Sequence, residues 1–249
     1  MYRAVLMDMG GVLYQGRKAI PGALEALERL RGSGLALRFV TNTSRQSRRQ
    51  VLAMLSELGF SIETEELFTA PLAAASYLKS HGLSPLLLVA EAVREDFPES
   101  AGPADAVVLA DGPAHLDYEH LDQAFRLLMD GAPLLAIGDN RYFAEQDGLH
   151  LDVGPFVRAL EYAAGVQAVI TGKPSRTFFE QVLADAGCQA GEAVMIGDDV
   201  AADVVAAMDA GMDALLVRTG KYRQDDEEGQ GRDVATVADL SEAVSRILG

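Results

Sequence analysis

The sequence is poor in the residues on which several common architectures depend. Its 249 residues include one cysteine, Cys188, so neither an intrachain disulfide nor a cysteine-built zinc site can form. None of the four histidines lies three or four residues from another, as a helical metal site would require. No apolar run approaches membrane-spanning length, and no basic N-terminal region precedes a long apolar segment. We therefore expect a cytoplasmic protein without membrane contact.

Positive charge is also scarce. The 37 acidic residues outnumber the 21 lysines and arginines, which gives a formal net charge of −16. Nucleic-acid phosphates would be repelled by such a chain, so we expect no nucleic-acid partner. An acidic protein that handles phosphate must gather its cations locally, and we expect a metal ion among them. The 49% of hydrophobic residues suffices for a substantial core.

Strand-like apolar runs alternate with segments of helical period, which predicts an α/β fold with a mostly parallel sheet. The first set of predicted strands covers residues 4–7, 35–40, 67–68, 193–196 and 214–217, and its helices cover 21–31, 45–58, 71–80, 176–186 and 200–210. The second set has strands at 86–90, 106–110, 134–137 and 168–170, with helices at 121–129 and 156–164. We interpret residues 84–170 as a second α/β domain inserted into a core domain of residues 1–83 and 171–249.

Polar residues stand where the first two strands end, and in open α/β sheets this carboxyl edge is where ligands bind. Asp8 ends the first apolar run and is followed by Gly10 and Gly11, an arrangement that also fits a plain turn. Thr41, Asn42 and Thr43 follow the second strand and precede a helix. Hydroxyls, an amide and backbone N–H groups in this position can bind phosphate, although a simple N-cap has the same composition.

Two further sets of candidate residues lie in the last third of the chain. Lys173 stands just before a predicted helix, where its point charge suits phosphate oxygens. Asp198, Asp199 and Asp203 follow the strand at residues 193–196. Clustered carboxylates suit a hard cation such as Mg²⁺, and the alternative is an acidic first turn that complements a helix dipole.

The order of these residues resembles the haloacid dehalogenase (HAD) superfamily of phosphohydrolases. The family pattern is a strand-end aspartate, a later threonine, a lysine before a helix and an acidic motif, and it matches Asp8, Thr41, Lys173 and Asp198 with Asp203. The resemblance implies a Rossmann-like core, with residues 84–170 as an α/β cap of the superfamily's second class (IIA). It also implies a small phosphorylated substrate, Mg²⁺ and a possible homodimer formed through the cap. Residues 148–155, 195–199 and 217–221 further resemble the superfamily's pyrophosphate phosphatases.

The resemblance also implies a role for each residue. Asp8 would attack phosphorus and form an aspartyl phosphate, which water then hydrolyses. The metal would be held by Asp8, Asp198 and the carbonyl of Gly10. The remaining roles would be phosphoryl binding by Thr41, Asn42 and Thr43, charge compensation by Lys173, orientation of Lys173 or of the metal's waters by Asp203, and support by Asp199.

The pattern breaks at Gly10, where most phosphatases of the superfamily carry a second aspartate. That aspartate is a general acid, a role worth ~10²–10⁴-fold in rate. Pyrophosphate and phosphoramidates, whose leaving groups need little protonation, are therefore the expected substrates, and simple alkyl phosphates should suffer most. The alternative is a non-catalytic phosphate-binding or regulatory protein that keeps the fold.

Two other branches of the superfamily lack this aspartate as well. The dehalogenases and the phosphonoacetaldehyde hydrolases carry their cap before the threonine motif, whereas the large insertion here follows Thr41. Both branches are therefore disfavoured. Within the cap, Asn140, Arg141 and Tyr142 are the candidates for contact with substrate.

Overall fold

A computed structural model describes residues 2–99, 102–112, 116–145, 148–227 and 233–249. The chain folds into two compact units. Unit 1 comprises Met1–Thr41, Val51–Phe68 and Lys173–Gly249, and unit 2 comprises Asn42–Gln50 and Thr69–Gly172. Among the described helices, none combines the length and the apolar character needed to cross a bilayer.

The secondary structure alternates between strands and helices along most of the chain. The strands are β1 (Ala4–Asp8), β2 (Tyr14–Gln15), β3 (Lys18–Ala19), β4 (Ala36–Thr41), β5 (Leu67–Thr69), β6 (Pro85–Leu88), β7 (Ala106–Leu109), β8 (Leu134–Ala136), β9 (Tyr142–Glu145), β10 (Gly148–Leu151), β11 (Val169–Ile170), β12 (Ala193–Gly197), β13 (Asp213–Val217) and β14 (Thr236–Val237). The α-helices are α1 (Ala23–Arg31), α2 (Arg48–Glu57), α3 (Ala70–His81), α4 (Tyr118–Met129), α5 (Gly154–Ala164), α6 (Arg176–Ala186), α7 (Ala206–Asp209) and α8 (Leu240–Leu248). A turn of π-helix, Val200–Val205, leads into α7.

Unit 1 is built on a six-stranded sheet in the order β14-β13-β12-β1-β4-β5. Its central strand, β1, pairs in parallel with both β12 and β4. Residues 4–7 of β1 are fully buried, as expected of a strand covered on both faces. Asp8 pairs with Val40 and Met7 pairs with Ile196, so Asp8, Thr41 and Asp198 all stand at the carboxyl ends of neighbouring strands.

Unit 2 has its own four-stranded sheet in the order β11-β8-β7-β6, and all of its pairings are parallel. The helices α4 and α5 pack together and contribute to a separate apolar core that includes Leu109, Leu134 and Val157. An antiparallel hairpin, β9–β10, completes the unit.

The α/β class and the inserted second unit confirm the expectation from sequence, and the predicted elements lie within a few residues of the observed ones. The patterning did not predict the two hairpins, β14 or α8. The predicted helix at 200–210 begins as a π-helical turn. Unit 2 also begins earlier than residue 84, because α3 groups with it and contacts the 3₁₀ turn Glu91–Asp96, and it ends at Gly172 rather than at residue 170.

Candidate active site

A buried lysine joins two of the predicted site residues in unit 1. The Lys173 Nζ donates to Asp8 Oδ1 at 2.6 Å and to Asp203 Oδ1 at 2.7 Å. The side chains of Lys173 and Asp203 are only 4% and 1% exposed. The fold thus brings the end of β1 and the π-helical turn together around Lys173, which lies three residues before α6.

The charges around Lys173 determine the protonation of Lys173 and of Asp203. Burial alone would lower the pKa of Lys173, but the carboxylates of Asp203 and Asp8 outweigh burial and hold that pKa above its ordinary value. Burial raises the pKa of Asp203 to about 6, and the neighbouring Asp8 adds to the rise while Lys173 opposes it. At neutral pH the lysine is therefore charged and Asp203 is its counter-ion.

Asp198 follows β12 and is buried. Its Oδ2 accepts a hydrogen bond from the Lys221 amide at 2.7 Å. Its Oδ1 is buried, and no hydrogen-bond partner for it occurs among the described residues. Burial raises the pKa of Asp198 and outweighs the opposing hydrogen bond from the Lys221 amide, so the protein alone compensates its ionised form only in part.

A divalent cation would compensate the negative charge of the Asp198 carboxylate. One carboxylate oxygen from each of Asp8, Asp198 and Asp203 lies within 4.8 Å of the others. The oxygens of Asp203 are already engaged, Oδ1 by Lys173 and Oδ2 by the Asp199 amide at 3.2 Å. Asp8 and Asp198 are therefore the carboxylates best placed to bind a hard cation.

Two glycines make room for the Asp198 carboxylate. Gly11 and Gly220 have φ values of 78° and 64°, which side-chain-bearing residues rarely adopt. A Cβ atom on either residue would come within 2.0 or 2.1 Å of Asp198 Oδ2. The Thr219 hydroxyl donates to the Gly11 carbonyl and ties the loop after β13 to the loop after β1.

Asp199 caps the helical turn that follows it. Its Oδ1 accepts from the amides of Ala201 at 3.2 Å and Ala202 at 3.0 Å, and the Lys221 Nζ lies 3.3 Å from its Oδ2. The supporting role of Asp199 stays a prediction. Lys221 itself was missed, although it follows the end of β13 and the strand-end rule could have found it.

The remaining predicted residues lie near the start of the chain. Thr41 ends β4, one residue beyond the partner of Asp8. Gly10 forms an isolated bridge with Tyr14, and a Cβ atom on Gly10 would have Asp8 Oδ2, at 4.0 Å, as its one neighbour within that distance among the described residues.

Asn42 and Thr43 belong to unit 2 and line a cavity of about 280 Å³ in that unit. Asn140 lines the same cavity, whereas Arg141 is exposed and Tyr142 is 55% exposed. Sequence reasoning missed several other residues of the lining, among them Arg45, Asp111, Phe143 and Asp152.

Comparison with known proteins identifies the family. Residues 5–101 match the model of the haloacid dehalogenase-like hydrolases, and residues 170–243 match a second HAD-hydrolase-like model. The human haloacid dehalogenase-like hydrolase domain-containing protein 2 is 49% identical over 228 residues, which is 91% of this chain and 88% of that protein. This chain belongs to the HAD-like hydrolases.

Two further relatives connect this HAD-like hydrolase with phosphatases. Human phospholysine phosphohistidine inorganic pyrophosphate phosphatase is 42% identical, with 99% of this chain and 94% of that protein covered. The crystal structure of a Mycobacterium tuberculosis glycerol phosphate phosphatase in complex with magnesium matches with a TM-score of 0.80 and 26% identity, over 96% of this chain and 76% of that one. The chain is a phosphatase of the HAD superfamily, as its motifs indicate.

Replacement of Lys173 by methionine should destabilise the protein by about 3–5 kcal/mol, because it leaves two carboxylates buried without their cation. Chemical denaturation in the absence of divalent cations measures the loss. Arg176→Met is the matched control, since it breaks the exposed pair with Glu180 at the start of α6 and should cost less than about 0.5 kcal/mol. Equal losses of stability in the two variants would show that the ion pairs of Lys173 with Asp8 and Asp203 stabilise the protein no more than an exposed pair does.

Gly220→Ala should cost about 1–3 kcal/mol more than Gly187→Ala, because only the first methyl group meets the Asp198 carboxylate. Both glycines have a φ of 64°, so the backbone penalty is shared, and within the described ranges a Cβ atom on Gly187 would have no neighbour within 4 Å. Urea denaturation of both variants measures the difference. The same loss at both positions would show that backbone conformation alone requires glycine at residue 220.

Proposed function

We propose that the chain is a Mg²⁺-dependent phosphohydrolase that forms an aspartyl phosphate on Asp8. Its proposed substrates are inorganic pyrophosphate, phosphoramidates or other small phosphorylated metabolites. The observation that carries the proposal is the bridge from Lys173 to Asp8 and Asp203, together with a buried Asp198 oxygen that has no hydrogen-bond partner in the described part of the chain. A pure binding module has no chemical need for this combination.

The carboxylate of Asp8 is the proposed nucleophile. One of its oxygens accepts a hydrogen bond from Lys173, and its other oxygen would attack phosphorus. The new bond joins Asp8 to phosphorus while the bond to the leaving group breaks, and the leaving group takes that electron pair. Water then attacks the aspartyl phosphate, releases inorganic phosphate and restores the carboxylate.

Lys173 and a cation would counter the repulsion between an anionic nucleophile and an anionic substrate. The raised pKa of Lys173 supports a permanently charged side chain beside Asp8. Asp8, Asp198 and the Gly10 carbonyl would hold Mg²⁺, which when bound supplies neutralisation of charge on the phosphoryl group. Asp203 is proposed as a positioning residue, because its contact is with Lys173.

Thr41, Asn42 and Thr43 are the proposed ligands of the phosphoryl oxygens. They continue the chain directly from β4, whose Val40 pairs with Asp8. Hydroxyl, amide and backbone N–H groups are the donors that phosphate oxygens require. The three side chains would orient the phosphoryl group for attack by Asp8.

Phosphate release from p-nitrophenyl phosphate and pyrophosphate should require Mg²⁺ and be lost in Asp8→Asn. The asparagine keeps the shape of the nucleophile but removes its negative charge, so the expected loss is at least about 10³-fold. Asp130→Asn, an identical change at the exposed end of α4, should leave the rate unchanged. Phosphate binding without Mg²⁺-dependent turnover would instead favour the regulatory alternative.

Gly10→Asp should raise the hydrolysis of alkyl phosphomonoesters by about tenfold and change that of pyrophosphate little, since it supplies a proton donor for a basic leaving group. The position has space for a side chain and its φ lies outside the left-handed region. Values of kcat/KM for both substrates measure the selectivity. Gly10→Asn is the matched control, because it cannot donate a carboxyl proton, and an equal gain there or a uniform loss in Gly10→Asp would refute the missing-acid explanation.

A further inference from the structure

A three-residue strap, residues 219–221, follows β13 in unit 1 and contacts two of the proposed metal-binding segments. At its start, the Thr219 hydroxyl donates to the Gly11 carbonyl, in the loop after β1. At its end, the Lys221 amide donates to Asp198 Oδ2 at 2.7 Å. The strap therefore ties the loop after β1 to the carboxylate that follows β12.

The strap engages one oxygen of the Asp198 carboxylate and leaves the other for a cation. Besides the bond from Lys221, Oδ2 has the backbones of two glycines against it. A Cβ atom on Gly11 would come within 2.0 Å of Oδ2, and one on Gly220 within 2.1 Å. Oδ1 is buried and has no hydrogen-bond partner within the described ranges. A cation at this site would therefore contact Asp198 through Oδ1 alone.

The other two carboxylates of the cluster also have oxygens that the protein already engages. Asp8 Oδ1 accepts from the Lys173 ammonium. Both oxygens of Asp203 accept hydrogen bonds, one from Lys173 and one from the Asp199 amide. Mg²⁺ demands near-octahedral geometry and keeps several waters beside one or two carboxylates, whereas Ca²⁺ takes about six to eight oxygens and accepts bidentate carboxylates. A donor set of single oxygens therefore suits the smaller ion.

We propose that the strap makes this site select Mg²⁺ over Ca²⁺, with Thr219 as a positioning residue. The Thr219 hydroxyl holds Gly11, and the adjacent Gly10 carbonyl is a proposed ligand. The Lys221 amide holds Asp198, another proposed ligand. Hydrogen bonds of this kind orient metal ligands, and Mg²⁺ depends on that orientation more than Ca²⁺ does, because its coordination geometry is less flexible. The inference rests on the proposed function for the identity of the metal ligands.

Lys221 allows the effect of geometry to be separated from the effect of charge. Its backbone amide contacts Asp198, whereas its side chain is 72% exposed and places Nζ 3.3 Å from Asp199 Oδ2. Lys221→Met keeps the amide and removes a positive charge near the carboxylates. Both divalent ions carry the same charge, so we expect Kd for Mg²⁺ and Kd for Ca²⁺ to fall by similar factors and their ratio to stay unchanged.

Calorimetric titration of the cation-free protein with Mg²⁺ and with Ca²⁺ measures both Kd values without turnover. We expect the wild-type protein to bind Mg²⁺ more tightly than Ca²⁺. Thr219→Val keeps the shape of the side chain but removes its donor. It should raise Kd for Mg²⁺ by about tenfold and Kd for Ca²⁺ by a smaller factor.

Two further variants serve as controls for this substitution. Thr219→Ser retains the hydroxyl and should keep both Kd values close to those of the wild type. Thr236→Val removes a hydroxyl of β14 that donates to the Val234 carbonyl at 3.3 Å, away from the proposed ligands in the chain. It should leave both Kd values unchanged.

The inference is overturned if the wild-type protein binds Ca²⁺ as tightly as Mg²⁺ or binds neither ion, or if Thr219→Val leaves the ratio of the two Kd values unchanged. A merely structural role of Thr219 would lower the stability of the cation-free protein to urea and leave that ratio alone. If Thr219→Val fails to fold, the wild-type ratio still decides, and a changed ratio in Lys221→Met would also overturn the inference. Failure of the proposed function appears instead as absence of Asp8-dependent phosphate release, whereas both Kd values are measured without substrate.

Discussion

The ion pairs of Lys173 constrain the whole core site. A lysine with 4% of its side chain exposed would lose its proton in apolar surroundings, so its charge depends on the carboxylates of Asp8 and Asp203. Those two carboxylates repel each other and in turn need the lysine between them. Each group is therefore acceptable only in the presence of the others, and residues separated by 165 positions in the chain must meet within hydrogen-bond distance.

The parallel sheet supplies a rigid frame for this cluster. The side chains along β1 are buried up to Met7, and a charge placed among them would lack any partner. Asp8 is the first residue of that strand at which the chain leaves the apolar layer, and the register places the ends of β4 and β12 beside it. The loops that follow β1, β4 and β12 can therefore bring their polar backbone and side-chain groups together at this edge of the sheet.

The same physical rule explains what could be predicted from sequence. The positions of Asp8, Thr41 and Asp198 could be predicted because parallel strands end at a common edge, and the structure has all three at or directly after the ends of strands. The contact of Asp203 could not be decided, because spacing alone allows either Lys173 or a metal-bound water as its partner. The π-helical turn at Val200–Val205 escaped prediction because one extra residue in a turn barely changes a helical pattern.

Most residues that line the cavity of unit 2 could not be predicted from the sequence. Arg45 and Asp111 are 66 residues apart. Arg45 begins one predicted helix and Asp111 follows a predicted strand, and nothing in the sequence linked the two. The candidates Arg141 and Tyr142 were chosen from loop composition, which does not tell exposed residues from lining residues. A pairing of this kind depends on the register of a separate sheet and becomes visible only in three dimensions.

The proposed site concentrates positive charge where the phosphoryl group would bind. A phosphoryl group is anionic at neutral pH, and the proposed site meets it with Lys173 and a cation held by Asp8 and Asp198. A chain with a net charge of −16 can handle phosphate in this way because its cations are needed only where the phosphoryl group would bind.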